Sequence, residues 1–185
     1  MGKTCLLAPA SDHRRYVRLV FQWGVARLSV SFGDSFPDIT LAFCGTPGAS
    51  WLRLPEGISC LLEALTDSVL ELHYADHCPL AQDLVEHWLL DLHLVRHPVG
   101  AEARLVALLQ LLVSRFGIRR GDGYLLPIAL GHARLAELIG ATRSTVTRQL
   151  NLLRQHDDLQ VIEPDGTFLL STRLMEGAIT PWPRW

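Results

Sequence analysis

Residues 130–155 read LGHARLAELIGATRSTVTRQLNLLRQ, and they decide the fold of the C-terminal half. Set on helices, the stretch becomes two amphipathic segments. Leu135, Ala136, Leu138 and Ile139 recur at helical spacing before Gly140, and Val146, Leu150 and Leu153 do so after it. Gly140 permits a sharp bend that a side chain would obstruct. Thr142 can cap the following helix by accepting from a backbone N–H that otherwise lacks a partner. The spacing predicts a helix-turn-helix.

At about 100° per residue, the second helix gathers Arg143, Ser144, Thr147, Arg148, Asn151 and Arg154 into one arc of roughly 140°. No acidic residue falls in that arc, and Val146, Leu150 and Leu153 take the opposite side. One face can therefore pack while the other offers guanidinium, hydroxyl and amide groups. Arginine can donate two bonds to guanine O6 and N7, and threonine can bond phosphate or touch a thymine methyl. With Thr142 and Thr145 at the helix start, these residues form the candidate DNA-binding set. The competing interpretation is an ordinary helical hairpin with a solvated basic face. Spacing alone leaves it open, and the turn glycine, the cap, the apolar triplet and the acid-free arc occurring together favour DNA binding. Gln149 sits near the edge of the buried arc, where an apolar residue would pack better.

Thr142-Arg-Ser-Thr-Val-Thr-Arg148, preceded by Leu135-Ala-Glu-Leu-Ile-Gly140 and followed by Leu150-Asn-Leu-Leu-Arg154, resembles the winged helix-turn-helix of Crp/Fnr-type transcription regulators. Arg115-Phe-Gly117 and Gly121-Asp-Gly123 are most similar to the cyanobacterial nitrogen-control branch. The resemblance covers roughly residues 100–170. It implies base reading by Arg143, Ser144 and Arg148. Many members carry glutamate where this chain has Ser144, and the nitrogen-control branch carries valine, so the preferred DNA site does not carry over.

The 185 residues, 49% of them hydrophobic, suffice for one good core or two small ones. A net charge of −2 excludes a globally basic nucleic-acid binder, yet residues 134–156 hold four arginines against one glutamate, so the positive charge is local. Cys5, Cys44, Cys60 and Cys78 are widely spaced with no C-x-x-C pair. Buried free thiols are expected rather than a metal or cluster site. No apolar run approaches the roughly 20 residues of a membrane span, and no signal segment opens the chain, so a cytoplasmic protein is expected.

The polar, mixed residues 1–15, with Arg14 and Arg15 as solvated surface, give way to short β-branched and aromatic runs at 17–21, 26–32, 39–43 and 69–74. Gly24, Gly33-Asp34, Pro37 and Gly45-Thr-Pro-Gly48 separate these runs, which predict a compact β-rich domain. Its position resembles the β-roll (cupin-like) sensor domain of the same family, shortened and with several N-terminal strands missing. Cyclic-nucleotide-binding members hold phosphate with a short helix after a Gly-Glu pair and a later arginine. Here Gly48-Ala-Ser-Trp-Leu-Arg-Leu-Pro-Glu-Gly57 puts Arg53 before Glu56 and interrupts the segment with Pro55. No cofactor is expected, neither a cyclic nucleotide nor the 2-oxoglutarate that the nitrogen-control resemblance implies. A degenerate sensor domain kept for folding and dimer contact is expected instead.

Pro79 and Pro98 bracket a helix at 80–97 on which Leu80, Leu84, Val85, Trp88, Leu89, Leu92 and Val95 cover about half the circumference, with Leu90 and Leu94 outside the stripe. The family resemblance implies that this is the dimerisation helix, with Leu84, Val85, Trp88, Leu89, Leu92 and Val95 at the contact. A core helix of a monomer is the alternative. The pairs His73/His77 and His93/His97 lack a third ligand, so no metal is expected. A second helix at 101–116 has Leu105, Leu108, Leu109, Leu112 and Val113 on one side and Gly117 as a left-handed stop. Residues 124–130 predict a short edge strand, and 159–162 with 167–170 flank Pro164-Asp-Gly166 as a two-stranded wing. The wing tip is acidic, and no role is assigned to the tail from Ser171 to Trp185.

The expected architecture is thus α+β: a β-roll-like domain at 1–78, a dimerisation helix at 79–98, a winged helix-turn-helix at 99–175 and a tail at 176–185. The function implied is sequence-specific transcription regulation by a homodimer on palindromic double-stranded DNA, with RNA polymerase as a further partner. The alternative is an interaction protein that pairs with a full-length regulator without reading a site. An enzyme has no nucleophile elbow, phosphate loop or metal cluster behind it.

Overall fold

The computed structural model describes residues 3–7, 15–33, 38–45, 48–54, 56–77 and 83–177. The expectations for Arg14, Asp34, Pro37, Thr46, Pro47, Pro55, Cys78, Pro79, Leu80 and the tail beyond Gly177 lie outside these residues. The chain divides into two compact units, Met1–Leu90 and Asp91–Trp185.

The described residues of the first unit form seven strands: β1 (Thr4–Leu7), β2 (Tyr16–Trp23), β3 (Val25–Ser31), β4 (Ile39–Gly45), β5 (Gly48–Arg53), β6 (Ser59–Ala64) and β7 (Val69–Ala75). They make two antiparallel sheets, ordered β1-β6-β3-β4 and β5-β2-β7. In β2, buried Val17, Leu19 and Phe21 alternate with the more open Arg18, Val20 and Gln22, the period of a sheet with one face in a core. β3 is buried on both faces and reads as a mixed run. Its Arg27 is 2% exposed and stands opposite Glu63 in the register with β6. Arg27 Nη1 donates to Glu63 Oε2 at 2.5 Å and Nε to Thr40 Oγ1 at 2.9 Å, so the buried charge is both paired and hydrogen-bonded.

Four of these strands are the runs expected from sequence; β1, β5 and β6 are additional. β1 alternates poorly because only Leu7 is buried, and β5 is interrupted in composition by Gly48 and Ser50. Residues 48–53, where the family resemblance would place a phosphate-holding helix, are strand β5 paired with β2, and Arg53 is exposed. Glu56 is in an ion pair with Arg15.

Helix α1 (Leu84–Arg96) contains the division between the units. Asp83 accepts from Val85 N at 2.8 Å, a cap that starts the helix. In the first unit Trp88 lies against Phe43 of β4, ring centroids 5.3 Å apart. Of the expected dimer stripe, Trp88, Leu92 and Val95 are buried, whereas Leu89 and its neighbour Leu90 are exposed. Leu84 and Val85 are half-buried.

The second unit continues with α2 (Ala101–Phe116), β8 (Ile118–Arg120), β9 (Gly123–Leu126), α3 (His132–Ile139), α4 (Arg143–Gln155), β10 (Leu159–Ile162), β11 (Thr167–Ser171) and the short α5 (Thr172–Glu176). Nine consecutive residues of α2, Leu105 to Val113, are buried, so the helix is covered all round rather than on one side. Buried Gln110 belongs to that run because its Nε2 donates to the carbonyls of Leu174 and Gly177. Gly117 is extended, not left-handed. A Cβ there would meet the Val113 carbonyl at 2.5 Å, so the glycine serves close approach. The expected edge strand is interior: β9 pairs with both β8 and β11 in a four-stranded sheet, β10-β11-β9-β8. The expected two-stranded wing, β10 with β11, is half of that sheet.

Asp158, just before β10, ties the wing to α5. Its carboxylate accepts from Ser171 Oγ and from Arg173, whose guanidinium holds the Asp158 pKa below the usual carboxylate range. A depressed pKa contributes stability above the unfolded value of about 4 that is lost as pH falls through the folded value. Thermal unfolding followed from about pH 6 to pH 2 should show the Asp158→Asn variant losing less stability on the acid side than the parent. Parallel acid limbs would contradict this role.

Cys44 and Cys60 are buried free thiols as expected, and burial pushes Cys44 up to about 12; Cys5 is exposed, which corrects the expectation for that residue. No helix among the described residues is long and apolar enough to cross a membrane.

Candidate nucleic-acid interface

The turn between α3 and α4 is built from backbone requirements. Gly140 has φ 62° and ψ 50°, a left-handed geometry that costs a side chain roughly 1–2 kcal/mol, and its N–H and that of Ala141 close the end of α3 on the Glu137 and Ala136 carbonyls. Two arginines complete the cap. Arg96 donates to the carbonyls of Glu137 and Leu138, both at 2.8 Å, and Arg104 of α2 donates to those of Ile139 at 3.1 Å and Gly140 at 3.4 Å. Cations at the carbonyl end of a helix satisfy its free acceptors and its dipole together. Sequence reasoning missed both, because their partners lie 35 to 42 residues away.

Thr142 begins α4 with φ −87° and ψ 154°, accepting from Thr145 N at 3.2 Å. The hydroxyls of Ser144 and Thr145 lie 2.9 and 2.8 Å from Thr142 Oγ1, so the three hydroxyls serve one another at the helix start. Thr142→Ala should lower the stability of this unit by about 1 kcal/mol, read as a drop in denaturation midpoint. Val146, Leu150 and Leu153 are buried, and α4 packs on α2, α3 and β10. Gln149 is also buried, and its Oε1 has no hydrogen-bond partner among the described residues.

On the opposite side Arg143, Ser144, Arg148, Asn151 and Arg154 are exposed. The side chains of Arg143, Arg148 and Arg154 form no ion pair or hydrogen bond among the described residues, whereas Arg134 pairs with Glu137 at 2.6 Å. Among the described residues, three guanidinium groups thus stand along one helix face with no partner for their donors. Thr142, Arg143, Ser144 and Thr147 line a shallow open depression at the N-terminal end of that face.

Thr147 differs from its neighbours in being half-buried. Its Oγ1 lies 2.9 Å from the Arg143 carbonyl and 2.8 Å from Nδ1 of His132, the first residue of α3. His132 was not among the expected site residues; only the packing of α3 on α4 brings it there.

The helix that exposes this arginine-rich face belongs to a segment, residues 103–166, that matches the family model for the Crp-like helix-turn-helix domain. Residues 103–166 form a Crp-like helix-turn-helix domain. The chain carrying this Crp-like domain is 47% identical over 53 residues to the global nitrogen regulator of Synechococcus elongatus, 29% of this chain and 24% of that protein. It is 41% identical over 59 residues to the protein of the same name from Synechocystis sp., 32% of this chain and 26% of that one. The match spans about a quarter of the length of these curated relatives.

Among solved structures, the fold is similar over most of the chain to TTHA1359, a transcriptional regulator of the CRP/FNR family from Thermus thermophilus. The TM-score is 0.63 at 20% identity, covering 95% of both chains. It is similar also to FixK2 from Bradyrhizobium japonicum, with a TM-score of 0.61 at 18% identity over 94% of each chain. Sheets followed by the Crp-like domain are therefore a fold this chain shares with those regulators.

Proposed function

We propose that this chain is a sequence-specific DNA-binding transcription regulator that acts in the cytoplasm as a homodimer on a palindromic site. The observation that carries it is the exposed face of α4, where Arg143, Arg148 and Arg154 stand without partners among the described residues while Val146, Leu150 and Leu153 anchor the helix behind them. Arg143 and Arg148 read bases, Ser144 and Thr147 are secondary readers, and Asn151 and Arg154 contact phosphate. Thr142 and Thr145 hold the helix start. The dimer contact is the exposed Leu89 with half-buried Leu84 and Val85, joined by Leu90. Burial of Trp88, Leu92 and Val95 rigidifies the helix that presents them. RNA polymerase is a further partner in this proposal.

Selection of bound sequences from random duplex DNA tests it. The expected product is an inverted repeat with half-site centres about 34 Å apart, as two-fold related helices require. Recovery of no shared sequence would reject site-specific binding, and a single unrepeated half-site would reject the dimer.

A further inference from the structure

We infer that His132 is a positioning residue that fixes Thr147 to read a thymine methyl group rather than a hydrogen-bonding base edge; this rests on the proposed DNA binding. A threonine hydroxyl has one proton. The Arg143 carbonyl lies 2.9 Å away and can only accept, and Nδ1 of His132 lies at 2.8 Å: the hydroxyl proton goes to the carbonyl when Nδ1 is protonated and to Nδ1 when it is not. In either tautomer that one proton is engaged. Thr147 therefore has no proton left for guanine O6 or N7, for thymine O4 or for a phosphate oxygen.

What it keeps is a methyl group and acceptor capacity, and it lines the depression together with Thr142, Arg143 and Ser144. The C5-methyl of thymine is the one apolar feature in the major-groove pattern of the bases. Threonine in a helix divides between two χ1 rotamers because its hydroxyl can reach the preceding turn in either, and the second bond, with His132, selects one of them. Valine has a single favoured helix rotamer and needs no such partner.

The test uses the intact chain and the site recovered by selection. Each thymine of a half-site is replaced in turn by deoxyuridine, which lacks only the methyl, and affinity is measured by competition at fixed salt. One position should weaken the parent and the Thr147→Val variant about three- to fivefold, the effect of one methyl withdrawn from an apolar contact. Thr147→Ser should show no loss there. His132→Ala should show a reduced loss, and the His132→Ala/Thr147→Val double variant a restored one, a rescue that a merely structural role for His132 would not produce. No uracil-sensitive position, a Thr147→Val variant that loses the thymine preference, or an undiminished loss in His132→Ala would each overturn the inference while leaving DNA binding intact. Failure of the parent to select any sequence would overturn the DNA reading and this inference with it.

Discussion

Leu150→Ala should destabilise the C-terminal unit by about 2–5 kcal/mol and remove DNA binding with it. Leu150 is 3% exposed on α4, which packs on α2, α3 and β10, so truncation both removes apolar burial and leaves a cavity that the surrounding elements only partly close. Against a total of about 5–15 kcal/mol for a domain, that is a large share. The thermal midpoint should fall by on the order of 10 °C or more. An unchanged midpoint would mean that α4 is not packed through this side chain.

Arg148→Ala should leave that midpoint in place and act only on DNA. Exposed and without a partner among the described residues, the side chain contributes little to stability. If it reads a guanine through O6 and N7, its loss costs about 1–3 kcal/mol, roughly 5- to 150-fold in affinity for the selected site, with the preference at that base pair relaxed. Arg148→Lys separates charge from geometry. It keeps the attraction to the duplex and its salt dependence but not the two parallel donors, so the preference should be lost while non-specific binding survives. Equal loss on selected and scrambled duplexes in Arg148→Ala would reassign the residue to phosphate.

The helix-turn-helix was legible because its determinants are local. Gly140, the Thr142 cap and the apolar triplet of α4 lie within 14 residues and act through backbone geometry and a 3.6-residue period. What was not legible depends on partners far along the chain. Arg96 and Arg104 look like solvated helix charges until the carbonyls of α3 arrive, and Gln110 looks like a defect in an apolar face until α5 covers it. Trp88 shows the same limit in the opposite sense. Its place on an amphipathic stripe is correct, yet periodicity cannot say which surface covers the stripe, and here Phe43 of β4 meets the ring. Gly117 had the right residue and the wrong reason, since close approach to Val113 rather than a left-handed turn requires it.

In the first unit the strands that escaped the sequence are ones that bury little. β1 shows only Leu7 to the interior and β5 only Leu52, whereas β3 was legible although Arg27 and Ser29 are buried among its aliphatic side chains. A net charge of −2 over the chain is compatible with three arginines on one helix that have no partner among the described residues, and it is their spacing, not their number, that singles out α4.

The most direct measurement is the affinity of the intact chain, at physiological salt, for its selected duplex against a scrambled duplex of the same length and composition. The expected result is a preference of about a thousandfold or more that falls steeply in the Arg148→Ala variant. Equal affinity for the two duplexes, or no affinity for either, would contradict the claim that the free arginine face of α4 reads a sequence.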